Sequence, residues 1–494
     1  MKFLGKTKLL QNRNQGVVMK KYLLIFAFAL GFSQINWQIE VVDTAMGPPS
    51  EYQYQNALAL DTNDIPHILF NKRNYSELIL AKKIPESIIW VKEIVDSGLF
   101  YACPALVFDR HNVPHCSYYE FVEQTGYLCY AYRATNGWVK IVVDTIPGII
   151  TNRSYFHTSI DIDTFCYPKI AYLSWNPRDS LFYIKYAHYD GIQWSLSVVE
   201  YDTSCAPRLQ PSDWFPKLQI NSKNIPYIAY HHICGQHDTI KFAQWNDSLG
   251  KWDIESVMDE AYSCAAVDLA IDEEDIPYIA HGVDIGLYCS WRVNESWYHE
   301  YTGIGVGWLG VRLSLALDSM SNPHIFYHFV GPVAYCYKDT VWHDCGRVDS
   351  TLDNGDITLL FNKIGQPNVS FRFTDWDSAT QSNYFGVKYA TGTFTGIEEK
   401  NTECIGSDTE LKINIYPNIV QGVLNVGYMI PVPGDVEIMV YDITGSIVGS
   451  KTLKHQRPGY YKEMINSEGL SNGIYFLMLK QHNEQVSRKF LLIK

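Results

Sequence analysis

Apolar and polar residues alternate in a short segment that occurs seven times along the chain and contains a proline at the same position each time. Every copy has apolar residues eight and six positions before the proline, and an Asp or Asn five positions before it. Period-two alternation predicts a strand, because successive side chains of a strand point to opposite faces. The copies are 58-LALDTNDIPHILF-70, 106-LVFDRHNVPHCSY-118, 160-IDIDTFCYPKIAY-172, 218-LQINSKNIPYIAY-230, 269-LAIDEEDIPYIAH-281, 315-LALDSMSNPHIFY-327 and 359-LLFNKIGQPNVSF-371.

The residues just before each proline predict a hairpin turn. The recurring Asp or Asn offers a short acceptor that can cap the N–H groups of a turn. Proline then opens a second strand, where its missing N–H costs least. Five of the residues two positions before the proline are of types that tolerate a left-handed backbone. This position is occupied by Asp64, Asn112, Cys166, Asn224, Asp275, Ser321 and Gly365.

The fifth copy carries four consecutive acids, Asp272, Glu273, Glu274 and Asp275. Such a cluster can bind calcium through carboxylate oxygens. Alignment with the other copies favours a turn, because Asp272 and Asp275 fall on turn positions that every copy shares. A calcium site remains the alternative.

The rest of each repeat predicts two further strands, of which the last begins near a tryptophan. We expect these tryptophans to pack between sheets rather than to bind a ligand. They are Trp90, Trp138, Trp194, Trp252, Trp297 and Trp342. The seventh copy lacks this strand, but 37-WQIEVVDT-44 closely matches 138-WVKIVVDT-145. The N-terminal strand is therefore predicted to complete the last sheet.

The spacing of the repeats predicts the architecture. Consecutive prolines lie 44 to 58 residues apart, and repeats of about 40 to 50 residues that are rich in short strands are typical of propeller blades. We predict an all-β chain with a seven-bladed β-propeller over residues 34–396, closed by its N-terminal strand, which removes an exposed sheet edge. A polar linker over 397–412 and a small β-sandwich over 413–494 follow.

Composition and charge narrow the partners. The chain of 494 residues is 47% hydrophobic and has a formal net charge of −13, which is globular in composition and disfavours nucleic acid. Lys20 and Lys21 precede the apolar run 22–32, which predicts an export signal over residues 1–33, cut before Gln34, with Met19 as a possible true start. The run is too short to span a membrane, and a buried N-terminal strand or helix is the alternative.

The 11 cysteines include no CxxC pair, so nothing indicates a zinc ribbon or a redox motif. Export permits disulfides, and one bridge from Cys234 to Cys205 or Cys264 is plausible. We expect Cys129, Cys289 and Cys336, which lie in third strands, to be buried as small apolar residues.

The C-terminal segment carries a combination of specific motifs. They are 415-IYPN-418, 436-VEIMVYDITGSIV-448, 470-LSNGIYFLMLK-480 and 488-RKFLLIK-494. This set resembles the C-terminal sorting domain of the type IX secretion system (type A, Por secretion family), although Ile419 replaces the usual second proline. The matching positions are Tyr416, Pro417, Asn418, Tyr441, Asp442, Gly445, Gly473 and Tyr475.

The resemblance implies an immunoglobulin-like sandwich that the outer-membrane translocon reads. It also implies cargo released from, or attached to, the surface of a Gram-negative cell. We therefore expect a secreted or cell-surface protein whose partner during export is the type IX translocon. An ordinary binding sandwich is the alternative.

The repeats also resemble, loosely, those of sialidase-like (BNR-type) propellers. The Asp-box S-x-D-x-G-x-T-W of that group is absent, and 190-DGIQW-194 is the nearest fragment. Neither an arginine triad nor a pair of facing carboxylates can be placed from the sequence. GxSxG, HExxH and phosphate-binding glycine motifs are absent as well.

Topology predicts that the ligand face carries the loops from second to third and from fourth to first strands. Aromatic residues beside hydrogen-bonding groups at such a face are typical of sites that bind sugars and peptides. The candidate ligand-binding residues are Trp175, Arg178, His231, His232, His281, Arg372, Asp375 and Trp376. Arg73, Tyr75, Trp214, His237, Asp284 and Trp308 lie in the same predicted loops. For each of these residues, loop packing or a solvated polar role is the alternative.

A metal site at His231, His232 and His237 would need a bend, since adjacent residues of a strand point to opposite faces. We therefore expect neither a metal nor a cofactor. Two hypotheses remain for function. The first is a non-catalytic protein that binds a glycan or a surface protein, and the second is a divergent glycan-active hydrolase. Two carboxylates within about 10 Å of each other at the ligand face would favour the hydrolase.

Overall fold

The structure is a computed structural model of the chain. It describes residues 34–46, 55–72, 76–98, 101–148, 156–179, 181–201, 216–234, 237–261, 264–283, 286–305, 312–328, 332–351, 355–377, 382–395, 411–416, 419–420, 423–456, 459–467, 469–482 and 484–492. These residues form strands, turns and bends and contain no helix. In this part of the chain, no helical segment could therefore cross a membrane.

Within the described ranges, the first part of the chain forms seven antiparallel four-stranded sheets, as the repeat predicts. The first strands are β2 (Asn56–Leu60), β6 (Tyr101–Phe108), β10 (Thr158–Ile162), β14 (Lys217–Ile220), β18 (Cys264–Ile271), β22 (Arg312–Leu317) and β26 (Ile357–Phe361). The second strands, which all begin at the repeat proline, are β3 (Pro66–Asn71), β7 (Pro114–Val122), β11 (Pro168–Asn176), β15 (Pro226–Cys234), β19 (Pro277–Val283), β23 (Pro323–His328) and β27 (Pro367–Asp377).

The two outer strands of each sheet complete the pattern. The third strands are β4 (Glu77–Lys83), β8 (Thr125–Ala134), β12 (Leu181–Tyr189), β16 (His237–Asn246), β20 (Gly286–Val293), β24 (Val333–Lys338) and β28 (Ser382–Thr395). The fourth strands are β5 (Trp90–Ser97), β9 (Gly137–Ile146), β13 (Trp194–Tyr201), β17 (Lys251–Ala261), β21 (Ser296–Gly305), β25 (Trp342–Arg347) and β1 (Gln34–Met46).

The N-terminal strand completes the last sheet, as predicted. β1 pairs antiparallel with β28 from Gln34 opposite Thr395 to Met46 opposite Tyr384. The first strands contact each other in chain order, and β26 contacts β2 in turn. The sheets are thus arranged in a propeller-like cycle whose ends meet through hydrogen bonds between β1 and β28.

The turns before the prolines have the predicted geometry in all seven copies. The residue two positions before each proline has a positive φ of 60 to 77°, including Cys166 and Ser321, whose residue types do not favour it. The recurring Asp or Asn accepts the N–H four residues further on at 2.8 to 3.1 Å. The turn hypothesis for Asp272 and Asp275 is therefore confirmed.

Four of these left-handed residues also join neighbouring turns, which the sequence pattern did not predict. Each accepts a backbone N–H from the turn of the preceding copy. The bonds run from Thr62 to Asn112 (2.8 Å), Thr164 to Asn224 (2.9 Å), Ser222 to Asp275 (2.8 Å) and Lys363 to Asp64 (3.1 Å). The last bond connects the seventh copy with the first.

The tryptophans of the fourth strands pack between sheets, as predicted. Each of five lies edge-on against an aromatic ring of the preceding sheet's third strand, with ring centroids 5.1 to 5.3 Å apart. The pairs are Trp37–Tyr335, Trp90–Tyr389, Trp194–Tyr130, Trp252–Tyr186 and Trp297–Phe242. Cys129, Cys289 and Cys336 are buried, which was also predicted, whereas the side chains of Cys205, Cys234 and Cys264 lie outside the description.

A second regular contact joins the sheets. In every repeat, a Lys or Arg of the third strand pairs with an acid on or just after the fourth strand of the preceding sheet. The pairs are Lys83–Glu40, Arg133–Glu93, Lys185–Asp144, Lys241–Glu200, Arg292–Glu255, Lys338–Glu300 and Lys388–Asp349. These seven cations have a structural partner between the sheets.

The C-terminal segment forms two sheets around one core. Leu411, inside the predicted linker, belongs to this core, and the first strand begins at the next residue. A three-stranded sheet contains β29 (Lys412–Tyr416), β31 (Val423–Ile430) and β34 (Gly459–Asn466). A five-stranded sheet contains β30 (Ile419–Val420), β36 (Glu484–Leu492), β35 (Gly473–Gln481), β32 (Gly434–Asp442) and β33 (Ile447–Gln456).

Candidate functional site

The first strands of the seven sheets surround a cavity of about 210 Å³ at the axis of the cycle. Each first strand runs away from one end of this cavity to its Asp–Pro turn, and the second strand returns antiparallel. The hairpins between second and third strands therefore lie at the end where the first strands begin. We call this end of the cavity, where Lys217, Asp268, Arg312 and Asp356 lie, the axial mouth.

Several polar side chains around the axis have a structural role. A first strand is the inner edge of its sheet, so N–H groups on one side have no strand partner. Side chains of the preceding first strand accept some of these N–H groups. The bonds run from Leu218 to Ser159 (3.0 Å), Ile220 to Asp161 (2.7 Å), Leu315 to Asp268 (2.8 Å) and Leu359 to Ser314 (3.0 Å).

Two long ion pairs occupy the axial mouth. Lys217 Nζ lies 3.5 Å from Asp268 Oδ1, and Arg312 Nε lies 3.9 Å from Asp356 Oδ1. Asp268 is already engaged, because its Oδ2 also accepts the Ser314 hydroxyl at 2.9 Å and its Oδ1 accepts the N–H of Leu269 at 3.0 Å. Asp268 therefore stabilises the edge of the neighbouring first strand in addition to pairing with Lys217.

The carboxylate of Asp356 has fewer described contacts than that of Asp268. Burial raises its pKa above the ordinary value, although Arg312, Lys217 and Arg372 act in the opposite direction. Desolvation outweighs three nearby cations because the charged form loses its hydration at this position. The predicted site residue Arg372 thus acts on the axial mouth, with its side chain packed over Gly355, where an added Cβ would lie 2.6 Å from Arg372 Cβ.

Cys103 also lines the cavity, but it is bound within the wall. Its N–H donates to Gln55 Oε1 at 2.6 Å, and its Sγ receives the Gln55 amide at 2.9 Å. Burial raises the pKa of the Cys103 thiol well above its ordinary value. A thiol held in its neutral form is a poor nucleophile, so Cys103 supports structure.

The predicted residues Trp175 and Arg178 lie on the hairpin of the third sheet, but they differ in exposure. Trp175 is buried and packs on Phe182, with ring centroids 4.6 Å apart. Arg178 is exposed, and its N–H donates to Asn176 Oδ1 at 3.1 Å. The structure therefore places Trp175 in the core and leaves Arg178 on the surface.

Two tyrosines that the sequence did not single out are exposed or partly exposed on the same sheet. Tyr183 donates its hydroxyl to Asp179 Oδ2 at 2.5 Å, and its ring lies 5.7 Å from that of Tyr201. Both tyrosines lie in predicted strands beside the ligand-face hairpin, and this position in the sequence pattern could have identified them as site candidates. Together they form an aromatic surface beside a carboxylate.

Asp375 and Trp376 form a similar surface on the hairpin of the seventh sheet. The Trp376 side chain is 56% exposed. Asp375 Oδ2 accepts the hydroxyl of Tyr384 at 2.8 Å, and its Oδ1 accepts the N–H of Trp376 at 2.8 Å. This hairpin lies at the same end of its sheet as the axial mouth.

Three of the predicted histidines, His231, His232 and His281, are buried. His281 Nε2 is hydrogen-bonded to Ser290 Oγ at 2.7 Å, and burial lowers the His281 pKa to about 3. His232 Nε2 lies 4.0 Å from Glu200. The side chains of His231 and His281 are thus parts of the sheet interior, and the described residues include no His, Cys, Asp and Glu cluster suited to a metal.

Some predicted residues lie outside the described part of the chain. They are Arg73, Tyr75, Trp214, Asp284 and Trp308 on the predicted ligand face, the side chain of His237, and Pro417 and Asn418 of the sorting motif.

The described sorting-motif residues have identifiable roles. Asp442 Oδ1 accepts the N–H groups of Thr444 at 2.8 Å and Ser446 at 3.0 Å. Gly445 completes this turn at a φ of 81°. Tyr475 is buried, and its hydroxyl donates to the carbonyl of Ser471 at 2.8 Å.

The other three described positions lie on strands. Tyr441 lies opposite Phe476, and Gly473 opens β35. Tyr416 ends β29.

Residues 414–494 match the family model of the secretion system C-terminal sorting domain. This match indicates export by type IX secretion to the cell surface or the extracellular space, and interaction with the type IX machinery. No curated protein matches the chain.

Several solved structures are similar to the chain at low identity. A polysaccharide lyase of family 25, an ulvan lyase, is 12% identical, with 74% of this chain and 96% of that chain covered and a TM-score of 0.46. The α-L-arabinofuranosidase Arb93A of Fusarium graminearum is 10% identical, with 74% and 98% covered and a TM-score of 0.40. PorZ, a surface component of the type IX secretion system of Porphyromonas gingivalis, is 9% identical, with 89% and 81% covered and a TM-score of 0.26.

Proposed function

We propose that this type IX-exported chain is a non-catalytic module that binds an extracellular glycan at the axial mouth. In this proposal the seven sheets are the blades of a β-propeller closed by β1, and the C-terminal domain is an immunoglobulin-like sandwich. Residues 1–33 supply the export signal. The module acts on the outer surface of a Gram-negative cell or in the surrounding medium.

The observation that carries the proposal is the arrangement at one end of the cycle. Charged groups converge at the axial mouth, and exposed aromatic rings lie at the same end of the sheets, Trp376 on a hairpin and Tyr201 at the end of β13. Sugars present hydroxyl groups at their edges and apolar C–H faces, so they bind where polar groups and aromatic rings lie together. Trp376, Tyr201 and Arg178 are the rim residues in this proposal.

The hydrogen bonds of Asp268 favour a binding function over hydrolysis. A glycosidase needs two carboxylates that can exchange protons or attack the sugar. Both oxygens of Asp268 accept hydrogen bonds from the protein, from Leu269 on one side and from Ser314 and Leu315 on the other. Its substitution would therefore disturb the neighbouring strand before it changed any chemistry.

A second candidate function is a glycan-active enzyme, and one observation favours it. Burial raises the pKa of Asp356, which is the property that a general acid needs near neutral pH. Arg312 and Lys217 beside it could steady a developing negative charge. In this alternative, Asp356 donates the proton to the leaving group.

A glycan array tests the proposal. The purified protein is applied to the array, together with Trp376→Ala and the control Phe165→Ala. Phe165 is 67% exposed but lies in an Asp–Pro turn, at the opposite end of its sheet. We expect retention that Trp376→Ala weakens by about tenfold, which corresponds to about 1.4 kcal/mol, while Phe165→Ala binds normally. A blank array, or equal loss in both variants, would contradict the proposal.

The same arrays separate binding from catalysis. Glycans that shorten over time with the unsubstituted protein, but persist with Asp356→Asn, would establish the enzyme. Glycans that are retained intact by both proteins would support binding alone.

A further inference from the structure

At the axial mouth, single copies of the repeat carry charged residues at positions where most other copies have small or neutral ones. Nine positions before the repeat proline, most copies have a small or neutral residue, but the fourth has Lys217 and the fifth Asp268. Eleven positions before it, the sixth copy has Arg312 and the seventh Asp356. The corresponding residues in the other copies are Ala57, Ala105, Ser159, Ser314 and Thr358 at the first position, and Gln55, Cys103, His157, Phe215 and Ala266 at the second.

The two axial cations are also exceptional in their partners. In all seven repeats, the third-strand cation is paired with an acid of the preceding sheet. Lys217 and Arg312 lie on first strands and stand outside that pattern. Departures from a regular pattern are expected at functional positions, because a structural role would recur in each repeat.

Exposure and geometry indicate the sign of the ligand. The Lys217 side chain is 35% exposed, whereas that of its partner Asp268 is 11% exposed. Both carboxylate oxygens of Asp268 accept hydrogen bonds from N–H and hydroxyl groups of the protein. Few of their lone pairs are therefore left to bind a cation. The separations of Lys217 from Asp268 and of Arg312 from Asp356, 3.5 and 3.9 Å, exceed the usual hydrogen-bond length. A ligand anion can therefore compete with the internal acids.

We propose that the axial mouth seats an anionic group of the glycan, a carboxylate or a sulfate, between Lys217 and Arg312. Arg372, on the neighbouring strand β27, adds a third positive charge that acts on Asp356. This inference rests on the proposed function and specifies the class of ligand. In a chain with 53 acidic and 40 basic residues, the axial mouth is then a local exception that attracts acidic polysaccharides.

Asp356 fits this arrangement as a positioning residue. Its Oδ1 lies 3.9 Å from Arg312 Nε, and the charges of Lys217 and Arg372 also act on it. Its raised pKa is consistent with a carboxyl group that can take up a proton when a second anion arrives. The protonated form would then donate a hydrogen bond to the ligand.

The test prints each acidic glycan in three forms: native, carboxyl-reduced and desulfated, with neutral glycans alongside. Retention of the native form that carboxyl reduction abolishes identifies a carboxylate as the ligand group, and retention that desulfation abolishes identifies a sulfate. Equal retention of all three forms, or retention of neutral glycans alone, overturns the anionic inference and leaves glycan binding intact. A blank array overturns both.

Charge-removing variants test the residues on the glycan that is retained. We expect Lys217→Gln and Arg312→Gln each to weaken binding of the native form by about tenfold or more, since charge-assisted hydrogen bonds are the strong ones. Lys223→Gln is the matched control, because Lys223 is 74% exposed in an Asp–Pro turn. Thermal unfolding verifies that each variant is folded, and the two axial variants give independent results. Affinities within about twofold of the control would overturn the inference.

Discussion

At the scale of single residues, each repeat keeps a left-handed backbone conformation two positions before its proline, even where the residue type changes. The Asp or Asn two positions before the proline was predicted for its tolerance of a left-handed backbone. Cys166 and Ser321 show that the backbone conformation is kept where the residue type does not favour it. Where an Asp or Asn is present, as at Asn224, the side chain also bonds the neighbouring turn. Sequence periodicity identifies such a position but cannot show a partner 60 residues away in the chain.

His281 gives the clearest prediction at this scale. It occupies a position held by Phe70 and Phe371 in other repeats, and it is buried with Ser290 and His299 as polar neighbours. Burial lowers the pKa of His281 from 6.5 to about 3. The unfolded chain therefore takes up a proton below pH 6.5 that the folded chain refuses, and stability is lost as the pH falls from about 6.5 towards 3.

We expect His281→Phe to remove this part of the acid sensitivity. Near pH 7 the variant should lose about 1 kcal/mol with its hydrogen bond to Ser290. At pH 4.5 it should equal or exceed the unsubstituted protein, because one pKa unit corresponds to about 1.4 kcal/mol. Urea unfolding at both pH values measures the difference. An unchanged pH dependence would show that His281 is not a source of the sensitivity.

At the scale of strands and sheets, prediction from sequence was most effective. Seven copies of one alternating pattern fix the strand order, and the isolated strand at Trp37 finds its place because the seventh repeat lacks a fourth strand. The candidate site was harder. Period-two alternation assigns a residue to a face, but the axial mouth assembles Lys217, Arg312 and Asp356 from three different sheets. His231 and Trp175 lie in hairpin strands, yet they point into the core.

The inter-sheet tryptophans give a prediction at this scale. Trp90 is buried, packs on Tyr389 and donates its Nε1–H to Glu40 at 3.3 Å. Trp90→Ala should lower the free energy of unfolding by roughly 3–5 kcal/mol, the usual cost of truncating a buried aromatic residue. Trp376→Ala is the matched control, since Trp376 is exposed, and it should change stability by less than about 0.5 kcal/mol. Comparable losses in chemical denaturation would contradict the packing role.

At the scale of the whole molecule, closure of the cycle depends on one pairing. Chain connections join each fourth strand to the next first strand, including β1 to β2. The last sheet is complete only through the hydrogen bonds between β1 and β28. Gly386 lies within this pairing, opposite Thr44 and beside a register shift between Val41 and Asp43. A Cβ added at Gly386 would lie 1.9 Å from the backbone oxygen of Asp43.

Gly386→Ala therefore tests whether this pairing holds the cycle together. The backbone oxygen of Asp43 cannot move away without shifting β1, so the substitution should separate the two strands locally. We expect hydrogen exchange of the β1 amides to accelerate by at least about tenfold, with a loss of stability of a few kcal/mol. Gly449→Ala is the control, because its nearest neighbour, Val440 Cβ, lies at an ordinary 3.8 Å. Because opening at β1 would also loosen the first strands around the cavity, glycan retention should weaken in Gly386→Ala and not in Gly449→Ala. If β1 exchange were equally slow in both variants, closure would have to reside in the contacts of the turns and of Glu40 with Lys83.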